Sequence, residues 1–412
     1  MYVRIQFYSH LQYYKRKQKK HFRRTIMSMN TKDYKTKTMV VERDFPCRDN
    51  YWAVGLDIGY SAVKGISPAR HFCFPAYAKK IPENRPLLKE AADTDIRYRD
   101  NEGEWVVGNL AYEEMDASKM TESEEEVFGR KRYYSPMFKV IVRTGLGIAL
   151  MEGKEKSSDG KKLYVQTGLP PKFMRDSEDL KEVFKGIHMF ELKIGTAPWQ
   201  TFTFSLDEQN ISIMPQPLGA LLSASTDING YQLPIAKKFW SSNLLVFDPG
   251  FGTTDIYNVL HGNVSERGTE TFSEYSMREV FSRTCDQIEN KYHEERNIFE
   301  LQNLLESGEV RVKDKKKMIF KNCNFSEILA ACSKDVCNEV IEKMKSIYDY
   351  FSSYDYIIAT GGTYDAWATD FNAVFANMEG FSVIPANVND PTLTNVFSNV
   401  RGYYFSLVNR LR

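Results

Sequence analysis

The sequence lacks most of the features that mark a membrane, secreted or metal-clasp protein. Nowhere in its 412 residues do the roughly 18 consecutive apolar residues of a membrane-spanning helix occur. Its basic, aromatic start, with "LQYYKRKQKKHFRR", has no apolar stretch that could serve as a secretory signal. The six cysteines (47, 73, 285, 323, 332 and 337) form no CxxC pair. No histidine follows Cys323, Cys332 and Cys337 at zinc-finger spacing. Cys332 and Cys337 share a helical stretch at a spacing that suits neither a disulfide nor a metal clasp. Net charge is only +1, so no global field advertises a polyanion partner. These absences point to a cytoplasmic chain with buried thiols and no membrane partner.

What is present suits a soluble protein with a real core, at 42% hydrophobic and 26% charged residues. A chain of 412 residues is long for one domain, so two lobes are expected. The near-neutral total hides an asymmetry: residues 1–50 hold 13 Lys/Arg against 4 Asp/Glu, and the remainder is mildly acidic. Direct nucleic-acid binding is therefore not expected of the folded body. Residues 1–50 read as a disordered basic extension, or as residues preceding a natural start at Met27, Met29 or Met39. Their basic-aromatic mixture would also suit nucleic acid or an anionic membrane surface. Order is expected from about Tyr51. The stretch "EEMDASKMTESEEEVFGRKR" (113–132) reads as surface helix or loop. The basic "VRVKDKKKMIFK" (310–321) reads as a solvated face, with an inter-subunit surface as the alternative.

The body starts twice on one plan. "AVGLDIGYSAVKGIS" and "LLVFDPGFGTTDIYNV" each run from an apolar strand through Asp, one residue, Gly and small or hydroxyl residues into a second strand. Strands and helices follow both, with the main helices of the second half predicted near 273–292, 297–307 and 325–350. A repeated opening implies a duplicated lobe, with two Asp-Gly hairpins facing each other. The predicted division is 51–240 and 241–412, with a closing helix at 394–410 that returns to the first lobe.

The residue types in these turns suit a charged ligand. In the first, Gly59 permits a tight turn, Tyr60 and Ser61 form its tip, and Lys64 adds a point charge for phosphate. Asp57 would repel phosphate directly but can hold a hydrated Mg²⁺. In the second, Gly250 and Gly252 allow close approach and Thr253 and Thr254 can donate to phosphate oxygens. Asp248 supplies a second carboxylate, and Asp255 can support the loop or an attacking water. A third glycine turn, "IIATGGTYDAW", sets Gly361, Gly362 and Thr363 between a strand and a helix, where a flat ring or ribose could lie. Each turn alone could be an ordinary hairpin or strand-helix connection. Their ordered set of three is what carries the reading.

In order, "GLDIGYSAVK", "LLVFDPGFGTTDI" and "IIATGGTYDA" resemble the phosphate-1, phosphate-2 and adenosine motifs of the actin, sugar-kinase and DnaK-chaperone ATPase superfamily. "QTGLPP", "MPQPLGALLSAS" and "DPTLTNVFSNVRGYYF" resemble the ParM/StbA type of bacterial actin-like protein, over roughly residues 51–410. The resemblance implies an α/β, actin-like ATPase fold: two related α/β lobes, duplicated ribonuclease-H-like domains, around a nucleotide cleft. It implies ATP and Mg²⁺ as cofactors, with Asp57 and Asp248 holding the metal through water. Gly59, Tyr60, Ser61, Lys64, Gly250, Gly252, Thr253 and Thr254 would hold phosphates, and Gly361, Gly362 and Thr363 would border the adenosine. Gln216 stands where ParM-type proteins carry a catalytic glutamate; a glutamine can orient water but cannot take its proton. Gln216, Asp248 and Asp255 are the implied catalytic set, with Gln216 and Asp255 competing to position the water. The implied function is head-to-tail polymerisation into dynamic filaments that segregate plasmid or other mobile-element DNA through a DNA-bound adaptor. The alternative is a non-polymerising ATPase switch or a small-molecule kinase of the same superfamily.

Overall fold

The computed structural model describes residues 30–82, 91–114, 130–314 and 319–412. The basic start up to residue 29, most of the charged stretch 113–132 and the middle of the basic stretch 310–321 lie outside the described residues.

In the first half the strands are β1 (Met39–Glu42), β2 (Tyr51–Ile58), β3 (Ala62–Ser67), β4 (Arg70–Pro75), β5 (Ala78–Ile81), β6 (Ile96–Asp100) and β7 (Gly103–Val107). They continue with β8 (Lys162–Leu169), β9 (Gly186–Ile194), β10 (Gln200–Leu206) and β11 (Ile211–Pro215). The second half adds β12 (Asn243–Pro249), β13 (Thr254–Leu260), β14 (Asn263–Phe272), β15 (Glu309–Asp314), β16 (Ile319–Asn324), β17 (Tyr356–Ala359) and β18 (Ser382–Pro385). The helices that matter here are α1 (Pro136–Leu150), α2 (Gln216–Ser225), α3 (Pro234–Ser241), α4 (Met277–Tyr292), α5 (Ser326–Ile347), α6 (Gly362–Phe375) and α7 (Ser398–Leu411).

The two halves repeat one topology. In the first, β2, β3 and β4 form an antiparallel meander, β8 lies parallel to β2, and β11 lies parallel to β8. In the second, β12, β13 and β14 form the meander, with β17 parallel to β12 and β18 parallel to β17. Central strands covered on both faces read as unbroken apolar runs, which is why "YWAVG" and "LLVF" do not alternate. Leu56, Val63, Phe72 and Phe74 pack against Val142 and Leu146 of α1 in the first core. Leu245, Phe247 and Ile256 pack against Val280, Val336 and Phe371 in the second. A separate sheet ordered β10-β9-β6-β7-β5 is inserted into the first half. "IRYRD" and "GIHMFELKI" mix charged with apolar positions because the outer face of this sheet is solvated.

Two helices cross where the halves meet. Helix α2 seats Ala220, Leu221 and Ala224 on Leu244, Val246 and Ile358 of the second sheet. Helix α7 seats Val400, Tyr403 and Tyr404 beneath Tyr51, Ala53 and Ile66 of the first. They touch backbone to backbone: a Cβ on Gly402 would stand 1.9 Å from the Gly219 carbonyl oxygen. Only glycine fits that crossing, and the crossing fixes how the two hairpins face each other.

One expectation is corrected. Residues 30–50 are structured rather than a disordered extension. Thr31–Tyr34 forms a 3₁₀ turn capped by Asn30. The Thr31 hydroxyl donates to the Leu305 carbonyl at 2.8 Å, and Lys32 and Lys35 approach Glu306 at 3.3 and 3.7 Å, all on the second half. The chain then crosses to the first half, where β1 pairs antiparallel with β4 and Phe45 is buried among Tyr404 and its neighbours. Arg43 returns to the second half, donating to Asp390 at 2.6 Å. The segment is a strap across both halves, and its basic composition hid it because the lysines face solvent while Thr31 and Phe45 are buried.

Candidate functional site

The two hairpins named from the sequence are the same object built twice. In each, the residue that opens the turn donates its N–H to the carbonyl three residues on: Gly59 to Ala62 at 3.0 Å and Gly250 to Thr253 at 2.7 Å. Each thereby leaves a two-residue tip, Tyr60-Ser61 in one and Phe251-Gly252 in the other. Across the strands that carry the turns, Asp57 faces Lys64 and Asp248 faces Asp255. One hairpin thus carries a carboxylate opposite an ammonium, and the other a carboxylate opposite a carboxylate.

Both hairpins line one cleft, which gathers Asp57, Gly59, Tyr60, Ser61, Lys64, Gly250, Gly252, Thr253 and Asp255 with Gln216 and Asp248. Lys64 Nζ donates to Asp57 Oδ2 at 3.1 Å, and Gln216 Nε2 donates to Asp57 Oδ1 at 3.0 Å. Gln216, the first residue of α2, therefore meets the first hairpin from behind. Asp248 Oδ2 accepts from Asn399 Nδ2 of α7 at 2.7 Å. Burial pushes the Asp248 carboxyl up to about 7, and the charges of Asp255 and Asp57 push the same way. Asp255 is 5% exposed, and burial raises its pKa against two opposing hydrogen bonds. Those come from the hydroxyls of Thr271 at 2.6 Å and Thr253 at 3.1 Å.

Other expected residues lie elsewhere. Thr254 is fully buried and its hydroxyl donates to the Tyr275 carbonyl, so it turns away from the cleft. Gly361, Gly362 and Thr363 are not in the cleft lining. Gly361 has φ +87, and a Cβ there would meet Pro249 O at 3.0 Å and Asp248 Oδ1 at 3.1 Å. Thr363 donates to Gly250 O at 3.2 Å. The third glycine turn therefore braces the second hairpin from behind.

Asn399, Thr167 and Arg132 are among the lining residues that were not read from the sequence. Asn399 holds Asp248; in sequence it stands among other polar residues of α7 that are also buried, Ser398 and Arg401, and nothing local singles it out. Thr167, at the end of β8, is 1% exposed, and its hydroxyl has no partner. Arg132 is 8% exposed, and its Nε has no partner. It fell inside a stretch whose charge suggested surface.

These features fit a metal-bound polyphosphate. Two carboxylates flank the cleft, one held partly protonated by its surroundings, and buried donors in the lining lack acceptors. Among the described residues no group of three His, Cys, Asp or Glu side chains could hold a metal unaided, so a cation here would need water and phosphate as further ligands. Among them, too, no helix is long and apolar enough to cross a membrane, and all six cysteines are free thiols.

Two lobes of one topology around a cleft lined by paired hairpins are the actin-like fold. Residues 55–219 match the family described as actin like proteins N terminal domain. The whole body is similar to pCBH ParM, solved as a non-polymerisable quadruple mutant, at 19% identity and TM-score 0.63, covering 86% of this chain and 98% of that one. It is similar to the ParM of a 15-stranded filament from Clostridium botulinum at 18% identity and TM-score 0.63, covering 88% and 99%. It is similar to Ta0583, an archaeal actin homolog in complex with ADP, at 14% identity and TM-score 0.57, covering 87% and 99%. No curated protein matches the chain. At these identities the solved structures establish the fold. With the domain match they bear out the resemblance to ParM-type actin-like proteins.

Proposed function

We propose that this chain binds ATP with Mg²⁺ in the hairpin cleft, hydrolyses it slowly, and polymerises head to tail into filaments that dissolve as ATP is spent. The observation that carries the reading is the convergence of Asp57 and Lys64 from one hairpin, Asp248 and Thr253 from its copy, and Gln216 from α2 on a single cleft. Asp57 and Asp248 would hold hydrated Mg²⁺, which when bound neutralises charge on the phosphates. Lys64 and the N–H groups of the two turns would hold phosphate oxygens, while the Thr253 hydroxyl stays committed to Asp255. Gln216 is fixed by its bond to Asp57, which leaves its amide oxygen to accept a hydrogen bond from water and orient it. No carboxylate stands at that position to take the proton, so hydrolysis relies on positioning and is slow. Asp255 is engaged by two threonine hydroxyls and serves to hold the second hairpin, which favours Gln216 as the water-positioning residue.

Filament formation is supported by the similarity to a ParM solved as a filament, and head-to-tail contacts do not close on themselves. A DNA-bound adaptor linking the filament to a plasmid or other mobile element completes the proposal, because the mildly acidic body offers no field for DNA. The test is high-speed pelleting with Mg-ATP, Mg-ADP, a non-hydrolysable ATP analogue and no nucleotide, alongside phosphate release. Pelleting that needs a triphosphate and reverses as phosphate appears is the expected result. ATP turnover without a pellet at any concentration would replace the filament with a monomeric switch or a kinase.

A further inference from the structure

Cations inside a protein are ordinarily paired, because an uncompensated buried charge is costly. The lining of the cleft contains two cations, Lys64 and Arg132. Lys64 is paired with Asp57 at 3.1 Å. Arg132 is different. Its Nη2 donates to the Ile58 carbonyl at 3.1 Å, its Nε is buried without an acceptor, and only 8% of the residue is exposed. The carboxylate whose charge reaches it, Asp57, is already engaged by Lys64 at 3.1 Å and Gln216 at 3.0 Å. Among the described residues none forms an ion pair with Arg132. Its guanidinium is held instead by neutral aromatic groups: it lies 4.5 Å from the Phe138 centroid and 5.0 Å from that of Tyr60, with which it also shares a side-chain hydrogen bond. Burial lowers its pKa, as expected of a charge that the protein has not fully compensated.

The position of Arg132 identifies the missing partner. Ile58, whose carbonyl it holds, follows Asp57 in the first hairpin, and Tyr60, on which it stacks, is the tip of that hairpin. A Cβ at Gly252 would stand 3.1 Å from the Tyr60 ring, so the same tyrosine meets the tip of the second hairpin. Arg132 therefore stands where the two hairpin tips converge. We infer that Arg132 pairs with the terminal phosphoryl group of a bound nucleoside triphosphate, supplied from within the chain. Two rings and a backbone carbonyl hold the guanidinium ready, so little ordering is required when the phosphate arrives. A diphosphate would leave it unpaired. Arg132 is thus a determinant of triphosphate over diphosphate binding, and a sensor of the γ-phosphate.

This inference rests on the reading of the cleft as a nucleotide site, and the test separates the two. Affinities for a non-hydrolysable ATP analogue and for ADP, both with Mg²⁺, are measured on the full chain and on Arg132→Gln. The expected result is a loss of about tenfold or more for the triphosphate, the size of one hydrogen bond to a charged group, with ADP changed less than about threefold. Equal losses for both nucleotides, or none for either, would overturn the assignment while leaving the nucleotide site standing. A wild-type chain that binds neither nucleotide would overturn both. Should Arg132→Gln bind nothing because it fails to fold, Arg132→Lys decides. Lysine keeps the charge but loses the fixed fork, so a triphosphate preference between wild type and none supports the assignment. An unchanged preference would refute it.

Discussion

The two hairpins of the cleft share a backbone and differ in electrostatics. In 57–64 the residues facing each other across the strands are Asp57 and Lys64; in 248–255 they are Asp248 and Asp255. The first is internally neutralised and further tied down by Gln216. The second buries two carboxylates side by side, so burial first and like charge second push Asp248 up to about 7, and Asp255 depends on two threonine hydroxyls. A duplicated turn has thus been divided between two tasks. One hairpin is a finished structural element that presents a lysine, and the other is an incomplete one that gains from a cation.

That contrast can be broken most forcefully at Asp57. Asp57→Asn strands the Lys64 ammonium in a largely buried site, and the expected cost is about 3 kcal/mol of stability, read from the urea midpoint. Asp248→Asn removes a carboxylate that its surroundings disfavour, so stability near pH 7 should rise rather than fall. The loss should come in binding instead: the tightening of ATP by Mg²⁺ weakens by about thirtyfold, the size of a lost charge-assisted contact. The same residue gives a pH signature. With its pKa raised from 3.8 to about 7, Asp248 contributes stability that is fully present below pH 3.8 and is lost as pH rises through about 7. The nucleotide-free chain should therefore lose stability between those limits, and Asp248→Asn should flatten that part of the profile. A smaller effect belongs to Gln216→Ala, expected to slow ATP hydrolysis about tenfold with nucleotide affinity unchanged, since water positioning is lost and no charge is. Smallest is removal of residues 1–35, which leaves β1 in place. It deletes the buried Thr31–Leu305 hydrogen bond and exposed ion pairs of little value, for about 1 kcal/mol. Faster nucleotide release from that truncated chain would show that the strap helps keep the two hairpins facing.

The hairpins were legible because their signals are local: an apolar run, an aspartate and glycines at fixed offsets. The duplication followed from setting two such stretches side by side. Thr254 was misread although the strand period of two could have placed it, since Thr253 and Asp255 share a face and Thr254 points to the other. Gly361 was read as bordering a ring; that the turn is also set against Pro249 and Asp248 of the second hairpin is a contact between residues far apart in the chain. Asn399 and Arg132 were missed for the same reason. Their roles exist only once α7 passes under the cleft and the residues before α1 fold over the first hairpin. The strap was hidden by composition, because a lysine-rich segment with a few buried anchors reads as a tail.

The measurement closest to the central claim, that the two hairpins form one ATP clamp, is a calorimetric titration of the full chain with ATP, with and without Mg²⁺, near pH 7. The account predicts one ATP bound per chain, tighter binding with Mg²⁺, and release of a proton as Asp248 ionises to meet the cation. Absence of binding into the millimolar range in both conditions would contradict it.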